Sequence, residues 1–291
     1  MKPTPFALLF AAACVVLGFT GLSVRRDASP PVADFAPAAR PTDWPDFSPR
    51  GPGFRVPQGS DGPLIAYGHD MMTRTFAIVG PEVSDPAMRF AGNNLSCQNC
   101  HLDAGTNRHG LPLVGLYRAF PRPLPSGKGE ETLVDRLNQC MTHSLNGRAL
   151  PPDSNEMQAM IAYMRYIGDP PPAPELPPAP PPPSPPDASR GATVYATVCA
   201  ACHQPDGAGK RSGGPNDAMG YVFPPLWGPD SFNDRAGFDL ERRMVPFVLR
   251  NMPTGVDPQH PQLSAQQAWD VSAYVLSQPR PRNAGPRSGQ E

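Results

Sequence analysis

Lysine is almost missing from this chain. Among 291 residues only Lys2, Lys128 and Lys210 occur, and arginine carries the positive charge. That scarcity reads as a bias of overall composition rather than a functional signal. A charge imbalance is missing too. Twenty-five basic residues against twenty-six acidic ones leave a net charge of −1, so no nucleic acid or anionic membrane surface is implied as an electrostatic partner. Cysteine is sparse at six residues, so placement matters more than number. Proline is the opposite extreme at 43 residues, a composition that marks unstructured stretches.

Four of the six cysteines fall in two short copies of one pattern, Cys97-Gln98-Asn99-Cys100-His101 and Cys199-Ala200-Ala201-Cys202-His203. C-x-x-C-H is the pattern for covalent attachment of a c-type haem. Two thiols three residues apart lie one helical turn apart, so both can add to the vinyl groups of one porphyrin. The following histidine then presents its imidazole to the iron. A redox dithiol or half a zinc site would need no such histidine. The chain is therefore expected to hold two covalent haems, through Cys97 and Cys100 and through Cys199 and Cys202, with His101 and His203 as iron ligands.

Residues 1–26 read as a signal peptide or N-terminal membrane anchor: Lys2 precedes an apolar run from Phe6 to Leu22, and Arg25-Arg26 follows. The rest is expected in the periplasm, tethered to the inner membrane if the run is an uncleaved anchor. Cys14 lies inside that run, in the wrong context for a lipoprotein site. Residues 27–60 lack apolar periodicity and read as a disordered tether with some wrapping segments. A first domain spans 61–168, with helices over Leu64–Thr75, over Thr132–Leu145 (capping box Thr132/Asp135) and after Asp153 (capping box Asp153/Glu156). Residues 169–186 form a linker, with twelve prolines in the seventeen residues from Pro170. It is expected to be polyproline II at about 3.1 Å per residue, a semi-rigid spacer between separate domains. A second domain spans 187–279 and ends in a helix capped by Ser264 and Gln267. Residues 280–291 are a polar tail. The halves share an order of haem motif, Pro-Leu stretch (Leu111-Pro112-Leu113; Pro224-Pro225-Leu226), helix and final capped helix. The fold class is all-α, two cytochrome-c-like helical domains.

The second axial position of each iron decides its chemistry. In the second domain Met252, in the turn Asn251-Met252-Pro253, is preferred over Met219 in a Gly-rich loop and Met244 on an apolar helix stripe. The first domain lacks an Asn-Met-Pro turn. Its candidates are Cys140, Met141, His143, His109, His69 and Met88. Cys140 falls on the apolar face with Leu133, Leu137 and Met141 and has no disulfide partner. Against it stands the ordinary reading of a lone inward cysteine as inert packing. The histidines at 69, 109, 143 and 260 read individually as surface or satisfied polar residues.

These residues resemble a known family. The stretches Tyr67-Gly68-His69-Asp70, Arg89 to Cys97, His101 to Thr106, and Arg136-Leu137-Asn138-Gln139-Cys140 through Ser144-Leu145-Asn146-Gly147 are similar to the dihaem thiosulfate dehydrogenases. The first domain of that family is like the A subunit of the Sox cytochrome. The resemblance implies oxidation of two thiosulfates to tetrathionate, or the reverse, with electrons passing from the first haem to the second. From there they pass to a soluble cytochrome c or other redox protein. It places the family's haem-ligating cysteine on Cys140, its neighbouring arginine on Arg136 and its serine on Ser144, with the substrate's sulfane sulfur engaging Cys140 or the iron. Two departures stand out. Ser126 replaces a further upstream arginine, for which Arg122 or Arg118 could substitute. Asn251 stands where some members carry a lysine that competes for the second iron, so stable His203–Met252 ligation is expected. Two rival readings are a dihaem carrier without substrate and a Sox-type sulfur-transfer cytochrome, which would need a carrier protein and a separate small cytochrome subunit.

Overall fold

A computed structural model of the protein describes residues 43–124, 126–168, 178–211 and 220–283. The expected leader (1–26), part of the tether (27–42), the first half of the linker, Met219 and the tail beyond 283 lie outside the described residues. Among the described residues no helix is long and apolar enough to cross a membrane.

Helices dominate: α1 (Gly62–Thr73), α2 (Thr75–Val79), α3 (Leu102–Gly105), α4 (Leu133–Thr142) and α5 (Asn155–Tyr166), then α6 (Ala188–Val194), α7 (Ala200–His203), α8 (Glu241–Asn251) and α9 (Ala265–Ser277). Strand structure is confined to two small antiparallel ribbons, β1 (Arg122–Pro123) with β2 (Glu130–Glu131) and β3 (Lys210–Arg211) with β4 (Tyr221–Phe223).

Each half is organised around one helix crossing, and both crossings turn on a glycine. In the first, Gly68 of α1 lies against the Ala159 carbonyl and Tyr163 Cβ of α5. In the second, Gly191 of α6 lies against the Asp270 carbonyl and Tyr274 Cβ of α9. A side chain at either glycine would push the helices apart. The repeat visible in the haem motifs therefore extends to packing: an entry helix precedes each motif and crosses the final helix.

Local sequence sets most helix ends. The α4 start is the expected capping box of Thr132 and Asp135, and α9 starts with Ser264 and Gln267. The expected Asp153/Glu156 box is not formed. Ser154 is the N-cap of α5, its hydroxyl accepting from Met157 N–H. The expected Leu64–Thr75 helix breaks at Arg74, which frees the Thr75 hydroxyl to accept from Cys97 N–H at 3.1 Å. The first core is rich in methionine (Met71, Met72, Met141, Met157, Met160, Met164), whose flexible side chain fills irregular gaps. The second core gathers Tyr195, Trp227, Phe232, Met244 and Val271.

The tether does more than span distance. Of its 43–60 portion, Trp44 donates its indole N–H to the Thr106 carbonyl at 2.7 Å, and Phe54 stacks on His69 at 4.0 Å. This stretch wraps the first domain. The linker likewise lies along α9, with Trp269 donating to the Pro180 carbonyl and Ser184 N–H to Gln266.

The two domains dock directly. Asn233 donates its backbone N–H to His143 O and its amide to Thr142 O and Asn146 Oδ1. Asn93 bridges the halves by donating to Ser144 O at 3.0 Å and Ser231 O at 3.2 Å. Both asparagines are fully buried. Arg211 pairs with Glu82 at 2.7 Å through two guanidinium bonds. A proline-rich connection thus joins two domains held face to face.

Candidate functional site

The two motifs use different backbones. Cys97–Asn99 is a tight 3-10 turn closed by a box between Ser96 and Asn99. Cys199 ends a wide π turn, and α7 carries Cys202 and His203. The histidines are nonetheless seated alike. His101 Nδ1 lies 2.6 Å from the Leu111 carbonyl, and His203 Nδ1 lies 2.8 Å from the Pro224 carbonyl. A carbonyl at Nδ1 fixes the tautomer and turns Nε2 outward as a neutral donor to a metal. The acceptors come from the two Pro-Leu stretches noted in the sequence, whose role there was a repeat marker only. Leu111 adopts a positive φ of 52°, a conformation that costs about 1–3 kcal/mol in a non-glycine residue and that accompanies the carbonyl's approach to His101. Burial pushes the His101 pKa down to about 4, and it raises the thiols of Cys97 and Cys100 to about 11 and 12.

The residues fit haem. A cavity is lined by Cys199, Cys202, His203 and Met252 together with Phe232, Phe247, Val271 and Val275. The lining is apolar with few polar groups, as cofactor sites are. Leu95, Asn99 and Cys100 of the first domain complete the wall, so the second site reaches the first motif.

Met252 caps α8 and leaves it in an extended conformation, its N–H donating to Val248 O. Met244 lines the same cavity from within the helix and is almost wholly buried in the second core. In the first domain α4 turns half-buried Cys140 toward the haem motif, near enough for a charge on it to raise the pKa of both Cys97 and Cys100. All five described cysteines are free. The other first-domain candidates are occupied elsewhere. Met141 is buried in the core, Met88 packs against its edge, and His69 stacks in an aromatic cluster with Phe47, Phe54 and Tyr163. His260 is exposed and paired with Asp257. His143 packs at the domain junction and His109 beside the second domain's Asn251.

Arg136 lies one turn before Cys140 on α4, its guanidinium 3.4 Å from Gln139 Oε1. Ser144 needs a correction of setting. The helix stops at Thr142 rather than Leu145, so Ser144 sits in the following turn, not one helical turn beyond Cys140. That turn is closed by Leu145 N–H to Cys140 O and by Asn146 in the left-handed region. Asn93, gripping the Ser144 carbonyl, holds it against the second domain.

Ser126 is exposed at the ribbon turn. Arg122 is committed to buried Glu131 at 2.6 Å, and Arg118 lies over Tyr117. The arginines whose charges depress His101, after burial, are Arg136 and the second domain's Arg243, and those acting on His143 are Arg235 and Arg136. Sequence reasoning missed Arg235 and Arg243, because only docking of the loop after Ser231 onto Thr142–Asn146 brings them there.

Comparison with known proteins gives the family. Residues 89–169 match the SoxA/TsdA cytochrome c domain, and residues 188–279 match the cytochrome c family. The chain is 34% identical to a thiosulfate dehydrogenase of Stutzerimonas stutzeri over 236 residues, 79% of this chain and 74% of that protein. It is 32% identical to that of Thiomonas intermedia over 290 residues, 97% of this chain and 86% of the relative. The solved thiosulfate dehydrogenase TsdBA of Marichromatium purpuratum superposes with a TM-score of 0.67 at 28% identity, over 81% of this chain and 50% of that longer one. With two haem-binding cytochrome c domains in this order, the chain is an enzyme belonging to the thiosulfate dehydrogenase family.

Proposed function

We propose that the protein couples two thiosulfates into tetrathionate, or runs the reverse, at the first motif. Cys97, Cys100, Cys199 and Cys202 would attach two haems covalently, and the irons would be held by His101 and Cys140 in the first domain and by His203 and Met252 in the second. Bound haems would supply one-electron redox chemistry, with a soluble cytochrome c or other redox protein as the acceptor. The chain's own residues bind and orient. Arg136 binds the sulfonate oxygens of a thiosulfate dianion in a two-pronged contact, and Ser144 donates a hydrogen bond to the same anion. Arg243 and Arg235 add positive charge from the second domain where Ser126 leaves none, which eases the approach of a second dianion. One bond forms, between the two sulfane sulfurs, and two electrons depart. The second domain docks at the end of α4 and on the turn after it, at Thr142, His143 and Asn146. Function in the periplasm, with an N-terminal anchor if the apolar run is uncleaved, fits covalent haem attachment and the leader-like start.

The observation that carries the reading is Cys140: a free thiol on α4 turned toward the first motif, one turn after Arg136. The test is anaerobic mixing of oxidised protein with thiosulfate while the haem absorption bands are followed. The parent protein is expected to be reduced and Cys140→Ala is not. A parent protein that stays oxidised, under conditions where dithionite reduces both haems, refutes the reading.

A further inference from the structure

The segment His109-Gly110-Leu111 presents three successive backbone carbonyls, and each is taken. Leu111 O lies 2.6 Å from His101 Nδ1, Gly110 O accepts from Leu102 N–H at 2.9 Å, and His109 O accepts from the Asn251 amide at 2.7 Å. The first two bonds are local to the first motif. The third crosses to the second domain, and its donor immediately precedes Met252.

Asn251 is the last residue of α8 and is buried. Its amide makes a second bond, to Phe247 O at 2.9 Å one turn back in the same helix. A side-chain amide has two N–H groups, and here one is given to each domain. Met252 follows at once, its N–H bonded to Val248 O, and its side chain lines the second cavity. Leu111, which seats the histidine of one site, and Met252 of the other are therefore three residue steps and one hydrogen bond apart. Gly110 leaves this loop little slack, since even a Cβ there would press on the Leu102 side chain.

We propose that Asn251 is a positioning residue that pins Met252 over the second site, using as anchor the first-domain loop that seats His101. The inference rests on Met252 being the axial donor. A buried carbonyl that loses its partner is costly, so an unpinned turn can relax only by moving Met252 or by separating the domains at this point. The pin acts on ligation of the second site and is transmitted from the first domain.

The test uses the haem-loaded full chain. Asn251→Ser keeps a short hydroxyl able to bond Phe247 O but too short to reach His109 O, and Asn251→Asp keeps the shape but offers no donor. The readouts are the long-wavelength methionine-to-ferric-iron absorption band and the reduction potential of the second haem, with Met252→Ala alongside and far-ultraviolet circular dichroism checking the fold. Both Asn251 variants are expected to weaken the band and lower that potential, with the bound-to-unbound ratio of Met252 falling about tenfold. Met252→Ala is expected to abolish the band. An unchanged band and potential in the folded Asn251 variants, with the band lost in Met252→Ala, overturns the pin and leaves the ligand standing. A band that survives Met252→Ala overturns the ligation reading, and the pin with it.

Discussion

Replacing Arg136 tests its proposed contact with substrate at little expected cost to structure. The guanidinium makes one long bond, 3.4 Å to Gln139 Oε1, while Gln139 has its own 2.6 Å bond to Glu131. Removing Arg136 therefore leaves the neighbouring network closed, and the stability cost should stay within about 0.5 kcal/mol. Substrate loses much more. A charge-assisted hydrogen bond is worth about 1.5–3 kcal/mol, and a two-pronged contact to a dianion from a half-buried site comes to about 3 kcal/mol after screening. At 1.4 kcal/mol per factor of ten, Arg136→Ala should lower kcat/KM for thiosulfate about a hundredfold. Arg136→Lys keeps the charge but loses the fork, and should fall about tenfold. The assay is steady-state thiosulfate oxidation with an artificial acceptor, alongside haem content and thermal melting. The charge of Arg136 also acts on His101, so its removal should make the first haem harder to reduce. A kcat/KM within threefold of the parent in Arg136→Ala, with haem content intact, would refute the assignment of this arginine to the substrate.

Three further outcomes follow from the packing and the site. Gly191→Ala forces a methyl against the Asp270 carbonyl and Tyr274 Cβ, and overpacking of this kind costs about 1–3 kcal/mol. Its melting temperature should drop by roughly 10 °C, and Gly68→Ala should do the same to the first domain, as calorimetry can check. Arg211 holds the Glu82 carboxyl below its usual value. A lowered carboxylate stabilises the folded form above about pH 4.5 and loses that contribution as pH falls through the lowered value. Domain docking, followed by small-angle scattering, should therefore loosen on acidification below that point, and Glu82→Gln should show less of this change. In Cys140→Met the electron paramagnetic resonance signature of a thiolate at the first haem should vanish while the second haem is unaltered. A persistent thiolate signal would remove Cys140 as the ligand.

Much of the molecule could be read from residues close in sequence. Motif spacing, capping boxes at Thr132 and Ser264, and apolar periodicity are local properties, and local physics fixed them. Where one residue shifted, the cause was also local: Ser154 out-competed Asp153 as a cap because its hydroxyl reaches Met157 N–H. Helix length was harder. α4 stops at Thr142 because Asn146 turns left-handed and the chain closes back on Cys140 and Met141 carbonyls, so Ser144 lies beyond the helix expected to run to Leu145.

By itself, then, the sequence determined what each motif can hold: two thiols and a histidine are fixed by a five-residue spacing, which no distant contact alters. Tertiary structure alone decided what surrounds them. Asn93, Asn233 and Asn251 lie far from their partners in the chain, and polar side chains in loops carry no periodicity to announce them. They gained meaning only when burial at the domain junction obliged each amide to find a carbonyl. The same docking brought Arg243 and Arg235 close enough for their charges to act on His101 and His143.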